Sequence, residues 1–123
     1  MANPIIHIKR IYAEPEKQDG HRILVDRLWP RGLTKEAAAI EDWEKELAPT
    51  SELRTWFGHK PELWPEFQKR YKAELQKNTH VDSFLDKYKA SKILTLLFAN
   101  KEEEYTHAQV LRDYLLHLFS RMK

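Results

Sequence analysis

Apolar positions in this chain repeat with two different periods, and each period predicts a different element. Ile5-Ile6-His7-Ile8-Lys9-Arg10-Ile11-Tyr12 is rich in β-branched residues, with Ile6, Ile8 and Tyr12 on one face, which predicts a first strand. Ile23-Leu24-Val25 lies inside a second, Arg22–Leu28, closed by Pro30 and Gly32. Between them, Pro15 and Asp19-Gly20 mark a loop. Ile93-Leu94-Thr95-Leu96-Leu97-Phe98 is apolar without alternation, the pattern of a central strand covered on both faces of a parallel sheet.

Elsewhere the spacing is helical. Ile40, Trp43 and Leu47 step by three and four, and Thr34 can cap, so a helix is predicted over Lys35–Leu47, ended by Ala48-Pro49. Thr50 or Ser51 opens a short helix carrying Leu53, Trp56 and Phe57, with Gly58 as its stop. Trp64, Phe67, Tyr71 and Leu75 give the clearest stripe, on a helix from Pro61 to Lys77 with both Pro61 and Pro65 in its first turn. On it, Glu66, Arg70 and Glu74 are spaced for pairing. Thr79 and Asp82 have the spacing of a capping box ahead of Val81, Phe84, Leu85 and Tyr88. A last helix is expected from Glu103 to Arg121, striped by Val110, Leu111, Tyr114, Leu115 and Leu118. Glu102–Glu104 at its start and Arg121 and Lys123 at its end complement its dipole.

Three mainly parallel strands with five or so helices describe a small α/β domain spanning the whole chain, 1–123. In that arrangement the ends of the second and third strands converge. Asp26, Arg27 and Arg31 then approach Asn100, Lys101 and the start of the last helix, even if the first two strands pair antiparallel.

Composition narrows the function. A length of 123 residues suits one domain with one core. The balance of 21 Lys and Arg against 19 Asp and Glu leaves a charge of +2, too small for a dedicated DNA-binding surface. Cysteine is absent, which removes disulfides, thiolate ligands and a cysteine nucleophile. The six histidines show no metal-ligand spacing, and no phosphate-loop, dinucleotide or nucleophile-elbow motif occurs, so no metal or cofactor is expected. Neither a signal peptide nor a membrane-spanning run is found, which points to the cytoplasm.

Candidate chemistry gathers in Asp26-Arg27-Leu28-Trp29-Pro30-Arg31-Gly32, where a strand breaks off into charge and a tight turn. Its arginines can clamp a phosphate or carboxylate, with Asp26 orienting one of them or acting as a base. Alternatively the same groups bond to one another and to loop carbonyls. Trp29 and Pro30 read as packing residues. His107, early in the last helix, can act as a general acid or base, or serve as a partly buried imidazole bonded to a neighbour. Arg54, His59 and Arg70 form a second group, with Arg70 most simply the ion-pair partner of Glu66 or Glu74.

These residues carry a resemblance. Asp26 to Leu33, then Trp43, Glu46-Leu47-Ala48-Pro49, Leu53-Arg54, Trp56-Phe57-Gly58-His59, Trp64, Phe67, Arg70-Tyr71 and Glu74-Leu75 are similar in order to the YeaO-like proteins, domain of unknown function 488. Leu94 to Ala99, His107-Ala108 and Val110-Leu111 continue the match over nearly the whole chain. The resemblance implies a fold but no established activity. Longer members of the wider family carry a Cys-His-Arg element near Thr106-His107-Ala108, of which only the histidine stands here.

Two functions follow as expectations. In the first, the strand-end cleft binds an anionic small molecule or nucleotide and supports a hydrolytic or transfer step. Arg27, Arg31, Lys101 and Arg54 hold the ligand, and Asp26 and His107 handle protons. In the second, the chain is a regulatory module that contacts RNA or a protein partner through aromatics around Trp56-Phe57 or the Lys69–Lys72 face.

Overall fold

The computed structural model describes residues 3–122; Lys123, assigned above to the last helix's dipole, lies outside them. Four strands, all parallel, make one sheet: β1 (Ile5–Arg10), β2 (His21–Leu24), β3 (Asp42–Trp43) and β4 (Ile93–Phe98), in the order β1-β4-β2-β3. The unalternating run is β4, in the interior of the sheet, with Ile6 opposite Leu94 and Ile23 opposite Leu96. Leu94, Leu96 and Phe98 enter one core and Leu97 another, which is why the run does not alternate. Its polar member, Thr95, is satisfied by donating from Oγ1 to the Asp19 carbonyl at 2.6 Å. The first two predicted strands are not neighbours, because β4 inserts between them.

The helices are α1 (Lys35–Ala38), α2 (Ser51–Phe57), α3 (Trp64–Gln76), α4 (His80–Tyr88) and α5 (His107–Ser120). Stripes from α2 to α5 build the larger core against one face of the sheet. The opposite face is thinner: Ile11, Leu24, Ala38 and Leu97, packed by Trp29, Leu33, Ile40 and Trp43. Buried Arg22 pins the loops over that face, donating to Asp19 Oδ2 at 2.6 Å and to the carbonyls of Ala38 and Ala39 at 2.8 and 3.1 Å. Those carbonyls end α1, where no intrahelical donor is available. Gly20 is fixed by the same crossing. Its φ of 63° is left-handed, and a Cβ there would stand 2.3 Å from the Ile93 carbonyl oxygen.

Several boundaries differ from the pattern reading. The helix predicted over Lys35–Leu47 stops at Ala38, with Ala39 left-handed at φ 49°, and continues as β3 and a 3-10 turn, Lys45–Leu47. The first strand ends at Arg10 and leaves Tyr12 exposed, and the second ends at Leu24. Pro61–Leu63 is a 3-10 turn preceding α3, whose first turn holds Pro65. Thr79 and Asp82 make no capping box; Asn78 Oδ1 instead accepts from the His80 N–H at 2.9 Å. Glu102–Glu104 precede α5 rather than open it, and Thr106 caps that helix by accepting from Ala108 N–H at 3.4 Å. Arg70 pairs with Glu66 at 3.1 Å, whereas Glu74 turns to Thr50. No helix among the described residues is long and apolar enough to cross a membrane.

Candidate functional site

After β2 the chain leaves to cover the thinner face, and after β4 it leaves into α5 on the larger face. Connections departing to opposite sides open a crevice at the carboxyl ends of the strands, the usual ligand position in such sheets. The crevice is a cavity of about 380 Å³ whose lining includes Asp26, Arg31, Arg54, His59, Tyr105 and His107. The structure therefore brings together residues 26, 27, 31, 54 and 107 from three separate segments of sequence. Lys101 is exposed and does not line the cavity.

Asp26 and His107 tie the strand ends together. Asp26 Oδ2 accepts from the Ala99 N–H at 2.9 Å, and the Asp26 carbonyl accepts from the Trp43 indole N–H at 2.7 Å. His107 Nε2 lies 3.0 Å from the Val25 carbonyl, to which it can only donate. The same nitrogen is 3.2 Å from Asp26 Oδ1, yet that buried oxygen receives no hydrogen bond among the described residues. With the ring proton directed at Val25, the imidazole and carboxylate are close without being aligned for proton exchange.

Arg27 belongs to the scaffold of the neighbouring loop. Its guanidinium donates to the Ala48 carbonyl at 3.0 Å and the Pro49 carbonyl at 3.4 Å, with Glu46 Oε1 at 3.7 Å. The groups on either side are equally accounted for. Asn78 Nδ2 donates to the Glu46 carbonyl at 2.7 Å and Tyr71 to the Leu47 carbonyl at 2.6 Å. Thr50 N–H and Oγ1 donate to the Glu74 carboxylate at 3.0 and 2.6 Å. Burial pushes the Tyr71 phenol well above its ordinary value, with the Glu74 and Asp26 carboxylates adding and Arg27 opposing, so the hydroxyl remains a donor.

Arg31 and Arg54 differ from Arg27. Both are exposed at the cleft, and neither guanidinium makes a hydrogen bond or ion pair among the described residues. Arg31 is held at its backbone, where its carbonyl accepts from Tyr12 at 2.8 Å. His59 follows Gly58 out of α2 in the left-handed region at φ 57°, and its Nδ1 lies 3.2 Å from Asn100 Nδ2. Since Nδ2 can only donate, the neutral ring carries its proton on Nε2. Three arginines against one carboxylate make this cavity electropositive. A second concavity of about 430 Å³, beyond Arg27, has the opposite balance, with Glu46, Glu52 and Glu74 on its wall.

Tyr12 and Tyr105 also line the cleft, and the sequence reading gave them no role there. Their aromatic character was visible; their convergence depends on the β1 and β4 ends lying side by side. The aromatics offered as a partner surface are covered instead. Phe57 is buried, and Trp56 is half-buried beneath Arg70, whose guanidinium carbon sits 4.0 Å from its ring centroid. No group of three or more His, Asp or Glu residues is placed to hold a metal among the described residues.

Comparison with known proteins agrees with the motif. Uncharacterized protein YeaO of Escherichia coli (strain K12) is 41% identical over 110 residues, covering 89% of this chain and 96% of that protein. An uncharacterized protein of Mycobacterium tuberculosis (strain H37Rv) is 36% identical over 110 residues, 89% of this chain and 92% of its own length. No solved structure matches. A family model described as the inactive DUF488-N3 subclade matches residues 5–123, and the chain belongs to that family.

Proposed function

We propose that the protein binds an anionic small molecule in the strand-end cleft and does so without turning it over. The observation that carries this reading is the pair Arg31 and Arg54, which line the electropositive cavity and whose guanidiniums have no protein partner among the described residues. Guanidinium forks suit the planar, multi-acceptor geometry of phosphate and carboxylate. Two features favour binding over catalysis. Asp26 Oδ2 and His107 Nε2, from the acid–base candidates, are engaged with backbone groups of the strand ends, and Asp26 Oδ1, though 3.2 Å from that nitrogen, receives no hydrogen bond from it. The family's own description as inactive points the same way.

A thermal-shift screen against phosphate, sulfate, nucleotides and carboxylates tests this, with Arg31→Gln and Arg54→Gln run beside the wild type. A ligand at a hundred times its Kd adds about 2.7 kcal/mol, which raises Tm by several degrees. The expected result is such a rise in the wild type, reduced in both variants. Equal rises in all three proteins, or none anywhere, would sink the proposal.

A further inference from the structure

We infer that the occupant of the cleft is a nucleoside monophosphate, a planar base joined through its sugar to one phosphate. This deepens the anion-binding reading and rests on it. At about 380 Å³ the cavity lies near the lower end of the range that encloses drug-sized ligands, well above the needs of a bare oxyanion. The donors of the lining are Arg31, Arg54 and the Nε2–H that the His59–Asn100 contact leaves on the neutral ring. A non-glycine residue held left-handed costs stability, and His59 is held so at the cleft itself.

The lining also has an apolar part, in which Phe57 and Phe67 are buried and Tyr12 and Leu28 are exposed. Among the described residues four large hydrophobic side chains stand in solvent, and two of them, Tyr12 at 43% and Leu28 at 64%, line this cavity. Tyr105 lines it as well, its ring edge-on to Trp64 at 5.6 Å. Apolar surface grouped around cations, rather than scattered, marks a site for a ligand with both characters. A base has a π-face that aromatic and aliphatic walls accept irrespective of its identity.

Calorimetric titration of the wild type with inorganic phosphate, ribose 5-phosphate, phenyl phosphate, adenosine, AMP and UMP is the test. AMP or UMP is expected to bind about tenfold tighter than ribose 5-phosphate, the scale of one stacked base. Arg31→Gln and Arg54→Gln should weaken every phosphate, whereas Leu28→Ser should weaken the nucleotides alone and Leu28→Met should restore them. Leu28 is exposed, so neither change threatens the fold. Ribose 5-phosphate or phenyl phosphate matching the nucleotides would overturn this inference while leaving anion binding intact. No binding by any of these probes would overturn the inference and, if the sulfate and carboxylate arms of the thermal-shift screen are also silent, the anion-binding reading with it; nucleotide binding indifferent to all these variants would place the ligand elsewhere.

Discussion

Arg27 and Arg31 lie in one short motif and have opposite fates. Arg27 donates to the carbonyls of Ala48 and Pro49, and removing it leaves those acceptors short of a partner. Arg27→Ala is therefore expected to cost about 1–3 kcal/mol. Arg31 makes no side-chain bond among the described residues, and Arg31→Ala should stay within about 0.5 kcal/mol of the wild type. Urea unfolding of both variants decides the matter, and equal costs would refute the division. The motif itself announced charge at a strand end, but it could not say which arginine was spoken for. The answer lies in carbonyls more than twenty positions later, presented by a loop that Tyr71, Glu74 and Asn78 hold in place. Identity was legible at this scale, and partnership was not.

Among the elements, the segment after Thr34 shows how a true period can mislead. Ile40 and Trp43 pack on the thinner core, whereas Leu47 enters the larger one. Spacing by three and four was satisfied by a chain passing the sheet edge, with its apolar residues serving two cores in turn. The runs that serve a single core, α3 and α4, kept their predicted apolar stripes, with α3 ending one residue before the expected Lys77 and starting three after Pro61. The edge strand created by that passage carries a titration. Asp42 Oδ2 accepts from Lys87 at 2.9 Å and from Tyr88 at 2.7 Å. Burial and the nearby Asp42 carboxylate push Glu44 up from 4.5 to about 7, against the pull of Lys87. The native state then holds a proton on Glu44 that the unfolded chain has released between those two values. Its contribution is full below about pH 4.5 and is lost as pH rises through about 7. Glu44→Gln should abolish that decline, flattening the urea midpoint between pH 5 and pH 8 relative to the wild type. Parallel profiles for the two proteins would show that Glu44 titrates normally.

At the scale of the molecule the two faces of the sheet are unequal. Among the described residues twenty-one buried side chains form the larger core and four form the smaller, so the smaller leans on the polar tie from Arg22 to Asp19 and α1. Layers with few buried apolar contacts open locally at lower free energy than the global unfolding that releases a central strand. Native-state hydrogen exchange should therefore find the Ala38 and Ala39 amides, bonded to Thr34 and Lys35, exchanging through a smaller opening energy than the amides of β4. Arg22→Leu should widen the gap, because it frees the loop and α1 while leaving the larger core in place. Identical opening energies for α1 and β4 would mean that the molecule unfolds as one unit. Trp29 and Leu33 pack on this thinner layer, and Arg31 lies between them at the cleft. One wall of the cleft is thus carried by the weaker half of the structure and the other by α2 and the approach to α5. A ligand bridging Arg31 and Arg54 would join the two halves, and its binding should slow exchange at Ala38 and Ala39 more than at β4.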